Sequence, residues 1–158
     1  MVTAPAGFTL KATYTGANSG GADTLRVYWK RLTAPATGTY QFTWSGGKLW
    51  SSGHAIAVSG AGASGDPLEA VNRAGSASGT TYPTTTVTTT ASPLLAWIGR
   101  NDQPASQHTP PTGFTEVQDK NCTSLAVLSS GGPGTYTATG ASYTGGAGPL
   151  QAVLVAIR

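Results

Sequence analysis

The side chains of this 158-residue chain that could carry acid–base, nucleophilic or metal chemistry are few: two histidines, one cysteine and six carboxylates. Metal sites need ligands at close, defined spacings, and neither His54 nor His108 has a ligating neighbour at such a spacing. His108 lies in the polar run Gln103–His108, which predicts an exposed loop histidine. His54 adjoins the apolar run from Ala55, where capping or a local hydrogen bond is the expectation. The lone cysteine, Cys122, cannot form an intrachain disulfide and has no histidine placed in sequence to make it a nucleophile. The acids are Asp23, Asp66, Glu69, Asp102, Glu116 and Asp119. A glycosidase needs two carboxylates facing one cleft, whereas Asp66 and Glu69 sit on a Gly-rich stretch and Glu116 and Asp119 flank a strand end. Acids at such places usually cap turns or stay solvated. No EF-hand loop, G-x-S-x-G elbow, P-loop or H-E-x-x-H pattern occurs. The expectation is a protein that is not an enzyme, with no cofactor and no metal.

The aromatic residues are the remaining lead. Trp50 follows Gly46-Gly47-Lys48-Leu49, and Tyr82 and Tyr143 also fall between predicted strands. Aromatic rings exposed on β-sandwich loops can stack on sugar rings, so Trp50, Tyr82 and Tyr143 are candidate glycan or partner contacts. The competing reading is that they anchor loops to the core. Trp29 and Trp44 fall on apolar faces by alternation and are expected to pack inward.

The elements that would position these residues are strands. Thr24 to Arg31 places Leu25, Val27 and Trp29 on one face and Arg26, Tyr28 and Lys30 on the other. Thr39 to Trp44 alternates in the same way. Further candidates are Phe8 to Thr15, Ala55 to Ser59, Thr84 to Thr90, Leu94 to Ile98, Phe114 to Val117, Ser124 to Leu128, Thr135 to Thr139 and Leu150 to Ile157. No helical periodicity runs uninterrupted by Gly or Pro. About ten short strands separated by Gly, Pro, Asn and Ser clusters predict an all-β, antiparallel, jelly-roll-like β-sandwich. Gly60 to Gly79 reads as a long surface loop with a turn at Asp66-Pro67-Leu68. The Thr-rich Thr80 to Thr90 reads as an edge or solvent-facing strand. Leu150 to Ile157, apolar on both sides, must be either central and covered or part of a partner interface.

The two ends of the chain are alike. Pro5-Ala6-Gly7-Phe8-Thr9 returns as Pro111-Thr112-Gly113-Phe114-Thr115, Leu25-Arg26-Val27 as Leu125-Ala126-Val127, and Gly38-Thr39-Tyr40 as Gly134-Thr135-Tyr136. Ala55-Ile56-Ala57-Val58 has a rough counterpart in Ala152-Val153-Leu154-Val155. This predicts one domain over 1–158 with two similar strand units, about 4–60 and 110–158, and a middle insert over 61–109.

Only 9% of residues are charged, against about 25% in typical globular proteins. The net charge of +3 comes from nine scattered Lys and Arg without a cluster that would track a phosphate backbone, which argues against a nucleic-acid partner. No segment approaches the roughly 18 consecutive apolar residues of a membrane helix, and Met1–Gly7 has no secretion-signal pattern. A cytosolic origin combined with a Thr-, Ser- and Gly-rich, charge-poor surface suits a phage virion component, made in the host cytoplasm and released by lysis.

The runs Pro5–Leu10, Leu25–Lys30, Gly38–Thr43 and Ala55–Gly60, followed by Asp66-Pro67, resemble a recurring β-sandwich domain of phage virion proteins, among them head-decoration and minor tail proteins, also seen in bacterial surface proteins. Ser59 stands where that pattern has an aromatic residue. The resemblance rests on core and turn residues and carries no catalytic residues. It implies a capsid decoration protein on the outer head surface, with the major capsid protein, other virion proteins or copies of itself as partners. The alternative it leaves open is a tail-associated receptor- or glycan-binding module.

Overall fold

The computed structural model describes residues 2–16, 23–32, 38–45, 52–62, 64–103, 107–120 and 122–158. They form an all-β, sandwich-like domain whose strands pair antiparallel throughout. In chain order the strands are β1 (Val2–Thr3), β2 (Thr9–Gly16), β3 (Asp23–Trp29), β4 (Thr43–Trp44), β5 (Leu68–Gly79), β6 (Thr85–Thr89), β7 (Leu94–Asn101), β8 (His108–Thr109), β9 (Thr115–Lys120), β10 (Thr123–Ser129), β11 (Gly134–Ala138), β12 (Ser142–Tyr143) and β13 (Gly148–Ile157).

The centre is a five-stranded sheet in the order β5-β13-β7-β10-β9. Its inner strands are apolar at successive positions because both faces are covered. Leu150, Ala152, Leu154 and Ala156 of β13 join Leu95, Trp97 and Ala126 in one core cluster. Val153 and Val155 join Leu68, Ala96 and Leu125 in the other. The first face is covered by the β6·β11 and β8·β12 pairs, through Val87, Ala138, Ala141 and Tyr143. The second is covered by the β2·β3 hairpin, through Leu25, Val27 and Trp29. The doubly apolar last strand is thus central and covered, and each fully buried leucine on it contributes about 1.5–3 kcal/mol.

The sheet departs from the sequence reading in three places. The segment read as a surface loop over Gly60 to Gly79 contains β5, a twelve-residue edge strand. Its Ala, Gly and Ser residues carry little alternation signal. It is a strand because its backbone groups pair along β13, with Ala74 opposite Ala152 and Val71 opposite Val155. The Asp66 turn at its start does form: Asp66 Oδ1 accepts the Leu68 N–H at 2.8 Å. Of the strand read at Thr39 to Trp44, only Thr43–Trp44 pairs, with β1, and Trp44 is 52% exposed instead of inward. Ala55 to Ser59 has no ladder partner among the described residues.

The Thr-rich β6 pairs with β11 and presents two different faces. Thr85, Val87 and Thr89 are buried. On the other face Thr84, Thr86 and Thr88 meet Thr139, Thr137 and Thr135 hydroxyl to hydroxyl at 3.1–3.2 Å.

The two Pro-x-Gly-Phe segments adopt one local structure. Phe8 N–H donates to Pro5 O, and Phe114 N–H to Pro111 O. The glycine between them has φ +84° at Gly7 and +85° at Gly113, which closes a type II-like turn that favours glycine. A two-residue bridge precedes each turn, with Val2 opposite Trp44 and His108 opposite Tyr143. A hairpin follows each turn, β2·β3 and β9·β10, and each carries an irregularity after its second pair, between Leu10 and Ala12 and between Glu116 and Gln118.

Candidate functional site

The most elaborate polar arrangement is buried beneath β8, at the end of the first core cluster. Asp119, on β9, accepts the His108 backbone N–H at 2.9 Å and lies 2.6 Å from His108 Nδ1. On the other side of the ring, Asn101 at the end of β7 places Nδ2 at 3.0 Å from His108 Nε2. The amide orientation of Asn101 is fixed because its Oδ1 accepts the Gln103 N–H at 2.8 Å. Asn101 therefore donates to Nε2, and His108 is held as the tautomer whose Nδ1–H donates to Asp119. Tyr82 and Tyr143 wall the ring in at centroid distances of 6.0 and 6.2 Å.

An aspartate orienting a histidine is half of a nucleophile-activating triad. Here the nitrogen that would accept a nucleophile's proton is occupied by Asn101, and the His108 side chain has no exposed surface. The arrangement ties β7, β8 and β9 together. His108 is accordingly not the exposed loop histidine its polar sequence neighbours suggest: the ladder from β8 to β12 turns the ring inward, and Asp119 and Asn101 satisfy both nitrogens.

The aromatic candidates separate. Tyr82 and Tyr143 are almost fully buried, so neither presents a face to a sugar. Tyr82 stands edge-on to Trp97 at 5.2 Å, and burial pushes its phenol far above the ordinary range. The Tyr143 hydroxyl lies 3.1 Å from Gly79 O and also reaches Gly146 O. Both rings anchor loops to the core, the second of the two readings open from sequence. Trp50 lies outside the described residues.

The other chemical groups have structural partners. Asp66 pairs with Lys11 at 2.7 Å, Asp102 with Arg100 at 2.8 Å, and Glu116 accepts from Ser124 at 3.1 Å. Glu69 accepts from Thr90 Oγ1 at 2.6 Å and from the Thr90 N–H, and these bonds hold its carboxyl below the usual carboxylate range. Burial pushes the Cys122 thiol up, which disfavours the reactive thiolate. His54 donates from Nδ1 to Gln118 Oε1 at 2.9 Å, and desolvation lowers its pKa.

A surface site that sequence reasoning missed lies on the outer side of β3. Phe8 stacks edge-on with Tyr40 at 5.3 Å and with Phe42 at 5.1 Å, and Tyr28 leans on Phe42 at 5.7 Å. Lys30 places Nζ 4.9 Å from the Tyr40 ring centroid and 5.6 Å from that of Phe8, a cation–π arrangement. Its ammonium also donates to Ala6 O at 3.2 Å. Tyr40 is 40% exposed, and Trp44, four residues on, lies bare at the surface. The alternation of Tyr40, Phe42 and Trp44 with Gln41 and Thr43 carried this signal. Read as one face of a core strand, it concealed a cluster formed with few pairing partners.

Fold and surface together define a sandwich-type domain with a closed polar network in one half and an open aromatic patch in the other. Comparison with protein-family models, with curated proteins and with solved structures finds no match to this chain.

Proposed function

We propose that this chain is a non-enzymatic structural protein of a phage virion, a decoration protein on the outer surface of the head. Its partners are the major capsid protein, other virion proteins or neighbouring copies of itself. The observation that supports this reading is where the exposed apolar side chains fall. Among the described residues these are Leu10, Leu32, Tyr40, Trp44, Ile56, Val58 and Val117, and all but Val117 belong to 4–60. Apolar groups gathered in one half, on a charge-poor surface, desolvate at low cost and suit an interface. A standard interface buries on the order of 1,600 Å², and repetition over a shell turns modest contacts into firm attachment. The phage placement is supported by the resemblance of Pro5–Leu10, Leu25–Lys30 and Gly38–Thr43 to virion β-sandwich domains.

A tail-associated receptor- or glycan-binding module is the second reading, favoured by the partly exposed Tyr40 ring with the Lys30 ammonium over it and by the half-exposed Trp44 ring. On this reading Tyr40 and Trp44 take the role first assigned to Tyr82 and Tyr143.

Sedimentation of purified protein with undecorated capsids and, in parallel, with host cell walls separates the two. Decoration gives saturable binding to capsids that W44S weakens. Binding to cell walls alone overturns decoration in favour of the second reading.

A further inference from the structure

The two similar units differ in what lies beside their second hairpin strand. Aligned through the turn and the hairpin irregularity, Thr9 corresponds to Thr115 and Trp29 to Val127, because these pairs stand at the same ladder position. This sets Val27 against Leu125, two residues away from the Leu25–Leu125 match read in the sequence. Leu25–Arg31 therefore corresponds to Thr123–Ser129. In the second unit that edge is fully occupied: β7 pairs with it from Thr123 opposite Arg100 to Ser129 opposite Leu94. In the first unit, among the described residues, β3 pairs with β2 alone.

The side chains follow the same logic. In the second unit Phe114 and Tyr136 are sealed into a cluster by Leu95 and Trp97 of β7, both without exposed surface. Their counterparts Phe8 and Tyr40 form the aromatic cluster beside Tyr28 and Phe42, where Tyr40 stays exposed. Two donors on β3, Arg26 Nε and Trp29 Nε1, are buried without a hydrogen-bond partner among the described residues. Ile56 and Val58, whose rough counterparts Val153 and Val155 lie beside β7 in the sheet, are exposed.

We infer that this edge of β3, unpaired among the described residues, is a strand-accepting site. Its occupant is an extended segment of a partner polypeptide that carries bulky apolar residues at alternate positions, the chemistry of Leu95 and Trp97. It pairs antiparallel to Leu25–Arg31, main chain to main chain, and lays its inward side chains on Tyr28, Tyr40 and Phe42. Affinity comes from the ladder, and specificity from the alternate side chains. The inference rests on the reading of this face as the docking surface and is independent of whether the partner belongs to a capsid.

The test uses the full chain and a synthetic peptide with the sequence of Pro93–Asn101, extended by a lysine tail for solubility. Saturable binding with about tenfold or greater slowing of amide exchange at Arg26, Tyr28 and Lys30, the counterparts of the β10 amides that face β7, is the expected result. The same peptide carrying W97K should lose both effects. No binding, equal binding by the W97K peptide, or slowing confined to β10 and β13, which would report exchange into the second unit, overturns the inference. Capsid sedimentation read separately shows whether the docking surface itself stands when the strand site fails.

Discussion

His108 Nδ1 lies 2.6 Å from Asp119 Oδ1, and the second oxygen of that carboxylate accepts the His108 backbone N–H at 2.9 Å. One side chain thus satisfies two donors, one of them on the fully buried His108 ring, and it does so across two strands, β8 and β9. Removing it strands both donors. D119A is expected to cost about 1–3 kcal/mol, since the Nδ1–H of the buried His108 ring loses its acceptor. D119N keeps an acceptor for one of them and should cost about half as much. Urea denaturation midpoints of the three proteins check the order.

The centre of the sheet contains a second tight relationship. Trp97 folds its ring over Gly99, so that a Cβ at position 99 would meet Trp97 Cη2 at 2.3 Å and Cζ2 at 2.9 Å. Trp97 is fully buried and has nowhere to move, and Tyr82 stands edge-on to it. G99A is therefore expected to destabilise by about 2–3 kcal/mol through overpacking, although alanine suits a strand better than glycine. The thermal midpoint reports the loss, and near-ultraviolet circular dichroism should show the Trp97 environment disturbed.

These two sites show what the sequence could and could not reveal. The hairpin strands β2, β3 and β10 and the central β13 were legible because alternation and double-sided apolarity report burial directly. β5 was not, because Ala70, Ala74 and Gly75 are too small to mark a face, and its strand character comes from the backbone of β13. His108 was misread because its neighbours in sequence are polar while its neighbours in space are Asn101, Tyr82 and Tyr143. The turn at Pro111 had already linked it to a structured unit through the matching turn at Pro5. Trp44 differs for the opposite reason: its alternation is that of a core strand, but among the described residues only Val2 lies opposite it.

His54 supplies a pH dependence. Desolvation lowers its folded pKa below the ordinary histidine value of 6.5, while the Gln118 bond opposes the shift. Below that value the unfolded chain takes up the proton more readily than the folded one, so stability rises with pH and is lost as pH falls through this window. Denaturant midpoints measured from about pH 7 down to about pH 5 should decline, and H54Q should flatten part of the decline. A wild-type curve unaffected by H54Q would show that burial of His54 carries no such penalty.

The docking face can be read most directly by hydroxyl-radical footprinting of the protein free and bound to undecorated capsids. Tyr40 and Trp44, both exposed in the free protein, should become protected on the particle, with Ile56 and Val58 following them and Val117 on β9 unchanged. Unchanged reactivity at Tyr40 and Trp44 on saturated particles, or protection centred on Val117, would contradict attachment through the first unit.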